Sequence, residues 1–472
     1  MPHSSYHVEN FGCRATQADG AAIERELNTL GLGRSGADSA DVVVFNTCTV
    51  TSSADADARA AIRRVQRTNP NAKIVVTGCY AQRAPEEVAA LDGVSAVVGN
   101  SHKNHVAAMA SRLVAASGNG LRIAIKEQDD FASAPQDIVT LGQLTGLDNF
   151  PEARPTLIGD IFAHTQLLAA PVYEDAAAMA GGRTRPNLKV QDGCDNRCSF
   201  CIIPYVRGNS RSLPMNDVLR ECEALASAGH QEVVLSGINL GRWGRDLSTA
   251  QKFEDLVETL LAKTRIPRIR ISSVEPMDWS DRLIALVANE GRICKHAHVP
   301  LQSGSDKVLR AMHRKYRPWH YAEKLRKIRE AMPDAAIGAD VMTGFPGETD
   351  ELFEENRDFM ARLPFTYLHV FTYSARPGTP AAGMKDQVPV QIARERNKIL
   401  RDLVAEKNRE FREKFVGQNL EAVTLQPNDD GTTEALSNNF LKIRIHGNLE
   451  NDRLVHVKVQ ELTQDGLAGV AV

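Results

Sequence analysis

The feature that most restricts the fold of this chain is a set of three cysteines. Cys194, Cys198 and Cys201 form a C-x-x-x-C-x-x-C pattern directly after the apolar segment 188–190, which predicts that a buried strand delivers them. Thiolates at this spacing can bind three irons of a four-iron cluster, and the neighbouring sequence supplies no fourth ligand. Because such clusters are usually closed by four cysteines, the incomplete set indicates an iron left open for a substrate or cofactor.

A zinc knuckle, or three structural thiols, is the alternative interpretation of this triplet. Zinc sites close with four ligands and commonly use C-x-x-C pairs, and no second pair follows in the sequence. Phe200, directly before the last cysteine, adds a flat apolar surface at this point and is a candidate for contacting the cofactor. With that aromatic residue, the triplet resembles the cluster motif of the radical S-adenosylmethionine (SAM) enzymes.

Length and composition limit the protein class. A chain of 472 residues, 43% of them hydrophobic, predicts about three domains with a large core. The net charge of −3 gives no general argument for nucleic acid or an anionic membrane. Six of the eight cysteines fall into two sets of three, which indicates metal binding in a reducing compartment rather than disulfides. Without an apolar signal core or a run of about 18 apolar residues, we expect a cytoplasmic protein with no membrane association.

In the N-terminal third, three apolar segments each lead to a cysteine: Cys13, Cys48 and Cys79 follow the predicted strands 6–11, 42–45 and 74–76. Helical patterns at 21–30, 54–67 and 85–91 alternate with them, which predicts a parallel sheet with helices on its faces. The carboxyl ends of parallel strands meet at one edge, where ligands bind. We therefore expect these cysteines to converge and hold a second cluster, the alternative being three unrelated buried thiols.

The middle of the chain repeats strand and helix six times, which predicts a partial (βα)6 barrel. The expected strands are 188–191, 232–236, 268–272, 297–301, 337–343 and 367–371. Polar residues at or near their carboxyl ends are candidates for binding the polar parts of SAM, with Gly237 as a backbone contact: Ser236, Gly237, Glu275, Gln302 and Asp340. Each could instead cap a helix or satisfy loop backbone. Cys222 and Cys294 are expected to be core thiols.

Two segments bear on RNA binding. Residues 310–330 hold eight Lys or Arg against two Glu, interleaved with aromatic side chains, which suits phosphates and stacked bases; a solvated basic helix face is the alternative. After a helix at 388–415, five short strands predict a small β-barrel at 420–425, 432–436, 441–445, 454–459 and 467–470. Such barrels often bind RNA, although residues 412–472 carry six Lys or Arg against nine Asp or Glu.

These patterns divide the chain into four parts. Residues 1–115 form the N-terminal domain, 186–411 the barrel and 412–472 the terminal barrel. Residues 116–185 are predicted to be a linker with some local structure, including a strand at 121–125 and a short amphipathic helix at 157–170. The predicted fold class is therefore α/β with a small β-barrel appended.

In this order the chain resembles the radical SAM methylthiotransferases, most closely those that modify threonylcarbamoyladenosine in tRNA. The resemblance is carried by the two cysteine sets, the terminal barrel, which is similar to a TRAM domain, and segments 189–194, 201–208, 299–305 and 369–371. It implies two [4Fe-4S] clusters held by the six cysteines, and SAM bound at the first. It further implies tRNA as substrate, modified at carbon 2 of adenosine 37, just 3′ of the anticodon.

The resemblance also implies an electron donor such as a flavodoxin or ferredoxin, and a monomer. Three other interpretations stay open at this point. A related enzyme would act on isopentenyl-adenosine in tRNA, and another on a ribosomal protein. Outside catalysis, the chain would be an RNA-binding or cluster-carrier protein.

Overall fold

The computed structural model describes residues 4–116, 155–163 and 184–472. Its N-terminal part is a six-stranded parallel sheet in the order β2-β1-β3-β4-β5-β6. The central strand β3 is buried along its whole length, as its sequence VVVFNT requires. The strands are β1 (Ser5–Asn10), β2 (Gly33–Arg34), β3 (Val42–Thr47), β4 (Lys73–Gly78), β5 (Val94–Gly99) and β6 (Thr156–Leu157). The helices that cover them are Arg14–Thr29, Ser52–Thr68, Cys79–Arg83, Pro85–Ala89 and Val106–Ala116.

The strand β6 corrects one prediction. Its residues lie in the segment predicted to be a linker, yet they pair with Val97 and Val98 of β5 and extend the N-terminal sheet. The helix predicted at 157–170 is therefore wrong for residues 157–163, which form a strand end and a turn. Pairing with β5 satisfies backbone groups of an edge strand, which local periodicity cannot reveal. Residues 164–170 and the strand predicted at 121–125 lie outside the described residues.

The middle part of the structure confirms the predicted partial barrel of six strand–helix units. Six parallel strands follow in chain order, and the bridges Ile269–Ile293 and Ser273–His298 join its two halves. They are β7 (Asn187–Asp192), β9 (Glu232–Gly237), β10 (Arg268–Ile271), β11 (His296–His298), β12 (Ala336–Thr343) and β13 (Tyr367–Thr372), and a short antiparallel strand β8 (Arg211–Ser212) pairs with β7. The main helices are Met215–Ser227, Phe253–Lys263, Asp281–Asn289, Pro318–Ala331 and Asp350–Arg362. The shorter helices are Ile203–Arg207 and Asp306–Ala311. The strand predicted at 297–301 ends early at His298, before Pro300, which has no N–H to donate.

The C-terminal part is the predicted small barrel, closed in the order β14-β15-β16-β18-β17. Its strands are β14 (Asn419–Pro427), β15 (Thr432–Ser437), β16 (Lys442–His446), β17 (Leu454–Leu462) and β18 (Leu467–Ala471), and the helix Val390–Glu413 precedes them. It packs against the middle barrel. Arg268 donates to the carbonyl of Leu436 at 3.0 Å, and Arg270 donates to the carbonyl of Ser437 at 3.0 Å. This contact places Phe440 beside the interior of the middle barrel, 4.4 Å from the ring of His296.

Most cations of residues 310–330 have partners within the fold. Arg326 pairs with Glu323 and Glu330, and Lys327 pairs with Asp281. Arg329 donates to backbone carbonyls, among them that of Pro333. These contacts favour the basic helix face over an RNA site.

No helix among the described residues has the length and apolar character needed to cross a bilayer.

Candidate active site

The loop after β7 carries the first cysteine triplet. Gly193 begins it with φ +70°, and a Cβ there would lie 1.9 Å from the carbonyl oxygen of Asn209, so only glycine fits this turn. The amide of Cys201 donates to the Cys198 carbonyl at 3.1 Å, which closes the loop around the cysteines. Burial raises the pKa of Cys194 to about 11, and burial with the nearby Cys198 raises that of Cys201 to about 12. A metal centre bound at Cys194 and Cys201 would therefore have to displace their protons.

Arg314 links this triplet to one of the SAM candidates. The side chain is buried, its Nη1 donates to Cys198 Sγ at 3.3 Å, and its Nη2 pairs with Glu275. Glu275 therefore lies near the cysteine triplet in an ion pair with Arg314. The sequence placed Arg314 in a basic stretch and gave no signal for this role.

Replacing Arg314 with glutamine is expected to lower the reduction potential of a cluster bound at this triplet. A positive charge that donates to a ligating sulfur favours the reduced state. Loss of a charge-assisted hydrogen bond of about 1.5–3 kcal/mol corresponds to roughly 60–130 mV for one electron. An electron paramagnetic resonance redox titration measures the shift, and Arg314→Lys, which keeps the charge, should move the potential less. An unchanged potential in Arg314→Gln would exclude this contact in the loaded protein.

The N-terminal triplet sits at the carboxyl ends of three neighbouring strands, as predicted. Cys13 precedes the helix Arg14–Thr29, Cys48 follows β3, and Cys79 begins the helix after β4. A Cβ on Gly12, whose φ is +98°, would lie 2.5 Å from Cys48 Cβ, so the backbone before Cys13 runs directly against Cys48. Burial, and then the proximity of Cys79, raises the pKa of Cys48 to about 12. The arrangement brings the three thiols to one edge of the sheet.

The two triplets share a packed interface. Cys79 packs against Ile202 and Val206, which follow Cys201. Asn100 Nδ2 donates at 2.7 Å to the Val206 carbonyl and lies 3.5 Å from Cys79 Sγ. Cys79 is therefore held against the segment that directly follows Cys201.

A buried ion network supports this interface. Asp19, on the helix after Cys13, pairs with Lys103, with Lys189 of β7 and with Arg207. Asp192 pairs with Lys189 at 3.0 Å and with Arg207 at 2.9 Å. Although burial alone would raise it, the three surrounding cations lower the pKa of Asp19 to about 2. The network joins the N-terminal sheet to the strand that delivers the first triplet.

Within the described ranges, no three Cys, His, Asp or Glu side chains are placed to share one metal ion. Ligands of a single zinc lie close together because each bonds to the same ion at about 2.0–2.3 Å. Cysteines around a cluster are spaced further apart, since each binds a different iron. The all-thiol donor sets of the two triplets fit iron–sulfur clusters.

A cavity of about 210 Å³ lies where the N-terminal domain, the middle barrel and the terminal barrel meet. The N-terminal domain contributes Cys13 and Arg14, β9 contributes Ser236 and Gly237, and the terminal barrel contributes Phe440. The Oγ of Ser236 is buried and has no hydrogen-bond partner among the described residues. This orphaned polar atom fits a polar ligand such as SAM, so Ser236 and Gly237 are the candidates that the structure places in the cavity.

The other SAM candidates do not line this cavity themselves, although Asp340 contacts His298, which does. Asp340 Oδ2 is 3.2 Å from His298 Nε2, inside the barrel. Gln302, with φ +69°, donates its backbone N–H to the Asp340 carbonyl at 2.8 Å. Phe200 packs in a separate apolar cluster with Phe345. Cys222 and Cys294 are buried core thiols, as predicted.

The sequence interpretation missed a ladder of aromatic and imidazole rings in the cavity wall. The hydroxyl of Tyr367 lies 2.6 Å from His296 Nε2 and 3.0 Å from His298 Nδ1, and His369 stacks on His298 at 5.5 Å. A Cβ on Gly338 of β12 would lie 2.0 Å from Tyr367 Cζ, so that glycine makes room for the ring. Burial lowers the pKa of His296 and of His369, which keeps both imidazoles neutral. The sequence did contain a signal for this ladder. Residues two apart on a strand face the same side, so the patterns His-x-His on β11 and Tyr-x-His on β13 predict two rings on one face of each strand.

Comparison with known proteins agrees with this arrangement. The model of the Radical SAM superfamily matches residues 188–360, and that of the uncharacterized protein family UPF0004 matches residues 5–99. The solved structure of the radical SAM methyltransferase TsrM from Kitasatospora setae shares the fold at a TM-score of 0.51 and 16% identity, over 81% of this chain and 77% of that one.

Similarity to curated proteins extends over nearly the whole length. The threonylcarbamoyladenosine tRNA methylthiotransferase MtaB of Aquifex aeolicus is 35% identical over 96% of this chain and 99% of that protein. Its Bacillus subtilis counterpart is 34% identical over 97% of this chain and 94% of that protein. The tRNA-2-methylthio-N(6)-dimethylallyladenosine synthase of Thermobifida fusca is 32% identical over 97% of this chain and 84% of that protein. The chain belongs to the radical SAM methylthiotransferase family.

Proposed function

We propose that this protein adds a methylthio group to carbon 2 of N6-threonylcarbamoyladenosine at position 37 of tRNA. The observation that carries the proposal is the similarity, over nearly the full length of both chains, to proteins of that activity. The packing of Cys79 against the segment that follows Cys201 supports it, because sulfur insertion needs a sulfur source close to the site of SAM cleavage. A related enzyme for dimethylallyladenosine is the second candidate, since a relative of that activity is 32% identical.

The residues have distinct proposed roles. Cys194, Cys198 and Cys201 would hold one [4Fe-4S] cluster, and Cys13, Cys48 and Cys79 a second. When bound, the clusters and SAM supply one-electron reductive cleavage and the sulfur to be transferred. The residues that line the cavity would orient the ligands.

The ring ladder and Phe440 suit the target base. Neutral imidazoles and aromatic faces stack on a base that has left its RNA strand, as bases of single-stranded loops readily do. The hydroxyl of Tyr367 and the imidazole of His298 offer hydrogen bonds to the base edge. The cavity lies between Cys13 on one side and Ser236 on the other, which suits a substrate placed between the second cluster and SAM.

Nucleoside mass spectrometry of tRNA from a deletion strain tests this function. We expect 2-methylthio-N6-threonylcarbamoyladenosine to disappear and any 2-methylthio-isopentenyl-adenosine to persist, with complementation restoring the lost nucleoside. The reverse pattern would establish the dimethylallyl alternative. If every methylthio nucleoside of tRNA persists, the substrate is not tRNA, and mass analysis of ribosomal proteins for a lost methylthio group is the next measurement.

Iron content tests the cofactor assignment. Anaerobically prepared protein should contain about eight irons per chain, from two four-iron clusters. Cys48→Ala should retain about four. A wild-type content of about four irons per chain would contradict the proposed second cluster.

The remaining partners follow from the proposed reaction. One-electron cleavage of SAM requires a low-potential electron donor such as a flavodoxin or ferredoxin. The cytoplasm is the proposed location, because it contains tRNA and is reducing. These assignments, and a monomeric state, stay predictions.

A further inference from the structure

Arg14 is a cation without a counter-ion at the wall of the cavity. It follows Cys13 directly, its side chain is partly buried, and it lines both the 210 Å³ cavity and a neighbouring cavity of about 350 Å³. Across residues 4–116, 155–163 and 184–472, no hydrogen bond or ion pair to its guanidinium is present. A buried guanidinium is ordinarily paired, so its position suggests a partner that comes with the substrate.

The surroundings of Arg14 are also positive. Three arginines share the single buried carboxylate of Glu232: Arg185 at 3.2 Å, Arg268 at 2.7 Å and Arg270 at 2.8 Å. The half-exposed Glu421 lies 3.5 Å from Arg268, and the exposed Glu434 lines the neighbouring cavity together with Arg14 and Arg185. Arg185 lines the neighbouring cavity with Arg14, and Arg270 lies 5.4 Å from the ring of Phe440. The four arginines 14, 185, 268 and 270 therefore outnumber the three carboxylates of Glu232, Glu421 and Glu434, so the surroundings of Arg14 keep an excess of positive charge.

Helix geometry makes the position of Arg14 more unusual. It is the first residue of the helix Arg14–Thr29, whose first turn contains no acidic residue. A cation at a helix N-terminus is opposed by the helix dipole, whereas an anion there is stabilised by it. An anionic ligand would thus remove an unfavourable interaction as well as form a favourable one.

We propose that Arg14 binds the carboxylate of the amino-acid substituent on the target adenosine and thereby selects threonylcarbamoyladenosine over dimethylallyladenosine. The inference rests on the proposed function. A threonylcarbamoyl group ends in a carboxylate, whereas a dimethylallyl group is apolar and would leave Arg14 unpaired. A backbone phosphate is the other anion that RNA could offer. The carboxylate is favoured because it enters the cavity with the base that must reach Cys13, while phosphates stay with the strand outside.

The test measures binding of three anticodon stem-loop RNAs that differ only at the target nucleoside. One carries threonylcarbamoyladenosine, one its neutral threonine carboxamide analogue, and one unmodified adenosine. Wild-type protein with both clusters should bind the carboxylate RNA at least about 30-fold more tightly than the carboxamide RNA, as expected for a partly buried charge pair. Arg14→Gln should bring this ratio close to one, and Arg14→Lys, which keeps the charge, should retain most of it.

Arg64→Gln is the matched control. Arg64 is in the same domain, is exposed and pairs with Glu9 at 3.0 Å, and it lines neither cavity, so the ratio should stay at the wild-type value. Iron content near the wild-type value in Arg14→Gln verifies that Cys13 still binds its cluster. If the iron is lost, Arg14→Met, a second neutral replacement, is measured in its place, with the same expected loss of the ratio.

Two outcomes would overturn the proposal. An unchanged carboxylate-to-carboxamide ratio in Arg14→Gln would show that another residue recognises the substituent. An equal loss of affinity for all three RNAs would identify a phosphate contact instead. Failure of the proposed function is recognised separately, because wild-type protein would then leave the threonylcarbamoyladenosine RNA without a methylthio group.

Discussion

Cys198→Ala is expected to abolish SAM cleavage, whereas Cys48→Ala should leave cleavage intact and stop methylthiolation. Without Cys198 the first triplet would lose one of its three proposed ligands and the contact to Arg314, so 5′-deoxyadenosine formation should fall to the level of a sample without enzyme. Cys48 lies in the other domain, next to Gly12, and its loss should remove only the proposed second cluster. Liquid chromatography of 5′-deoxyadenosine and of the modified nucleoside measures both reactions in one sample.

Cys222→Ala is the control for this pair of variants. Cys222 is a buried thiol 3.8 Å from the hydroxyl of Thr264 and belongs to neither triplet. We expect both reactions to persist and the free energy of unfolding to fall by about 1 kcal/mol, because a small buried group is lost. Methylthio product from Cys48→Ala would contradict the role proposed for the N-terminal domain.

Asp19→Asn is expected to destabilise the protein by about 3–5 kcal/mol, the usual cost of removing one charge from a buried ion network. The replacement keeps the shape but leaves Lys103, Lys189 and Arg207 with Asp192 as their nearby counter-charge. Urea unfolding at pH 7, followed through the two buried tryptophans of the barrel, measures the change. Asp217→Asn, which removes an exposed pair with Arg220, should change stability by less than about 1 kcal/mol.

The same network predicts a dependence on pH. The pKa of Asp19 is about 2 in the folded protein and near 3.9 in an unfolded chain. Its contribution to stability is therefore fully present above about pH 4 and is lost as the pH falls towards 2. In cluster-free protein, Asp19→Asn should lose less stability than the wild type between pH 4 and 2. If the free energy of unfolding falls equally with pH in the two proteins, Asp19 is not the group responsible for the loss of stability in acid.

The sequence by itself determined the order of the elements and the positions of the cysteines. Strands that are buried on both faces appear as apolar runs, and a cysteine that follows such a run lies at the carboxyl edge of the sheet. This reasoning predicted the edge that gathers Cys13, Cys48 and Cys79, and the loop that carries Cys194, Cys198 and Cys201. Local periodicity also sufficed for the six strand–helix units and the terminal barrel.

Only the tertiary structure decided which polar groups meet. Arg314 reaches Cys198 from 116 residues away, and Lys189 reaches Asp19 from 170 residues away. The sequence assigned Arg314 to a basic surface and gave Arg14 no role, because the charge of a side chain does not reveal whether its partner is a carboxylate, a sulfur or a ligand. The pairing of β6 with β5 and the ring ladder around Tyr367 are likewise contacts between distant segments. Local patterns fix the elements, whereas the partners of buried polar groups depend on how those elements pack.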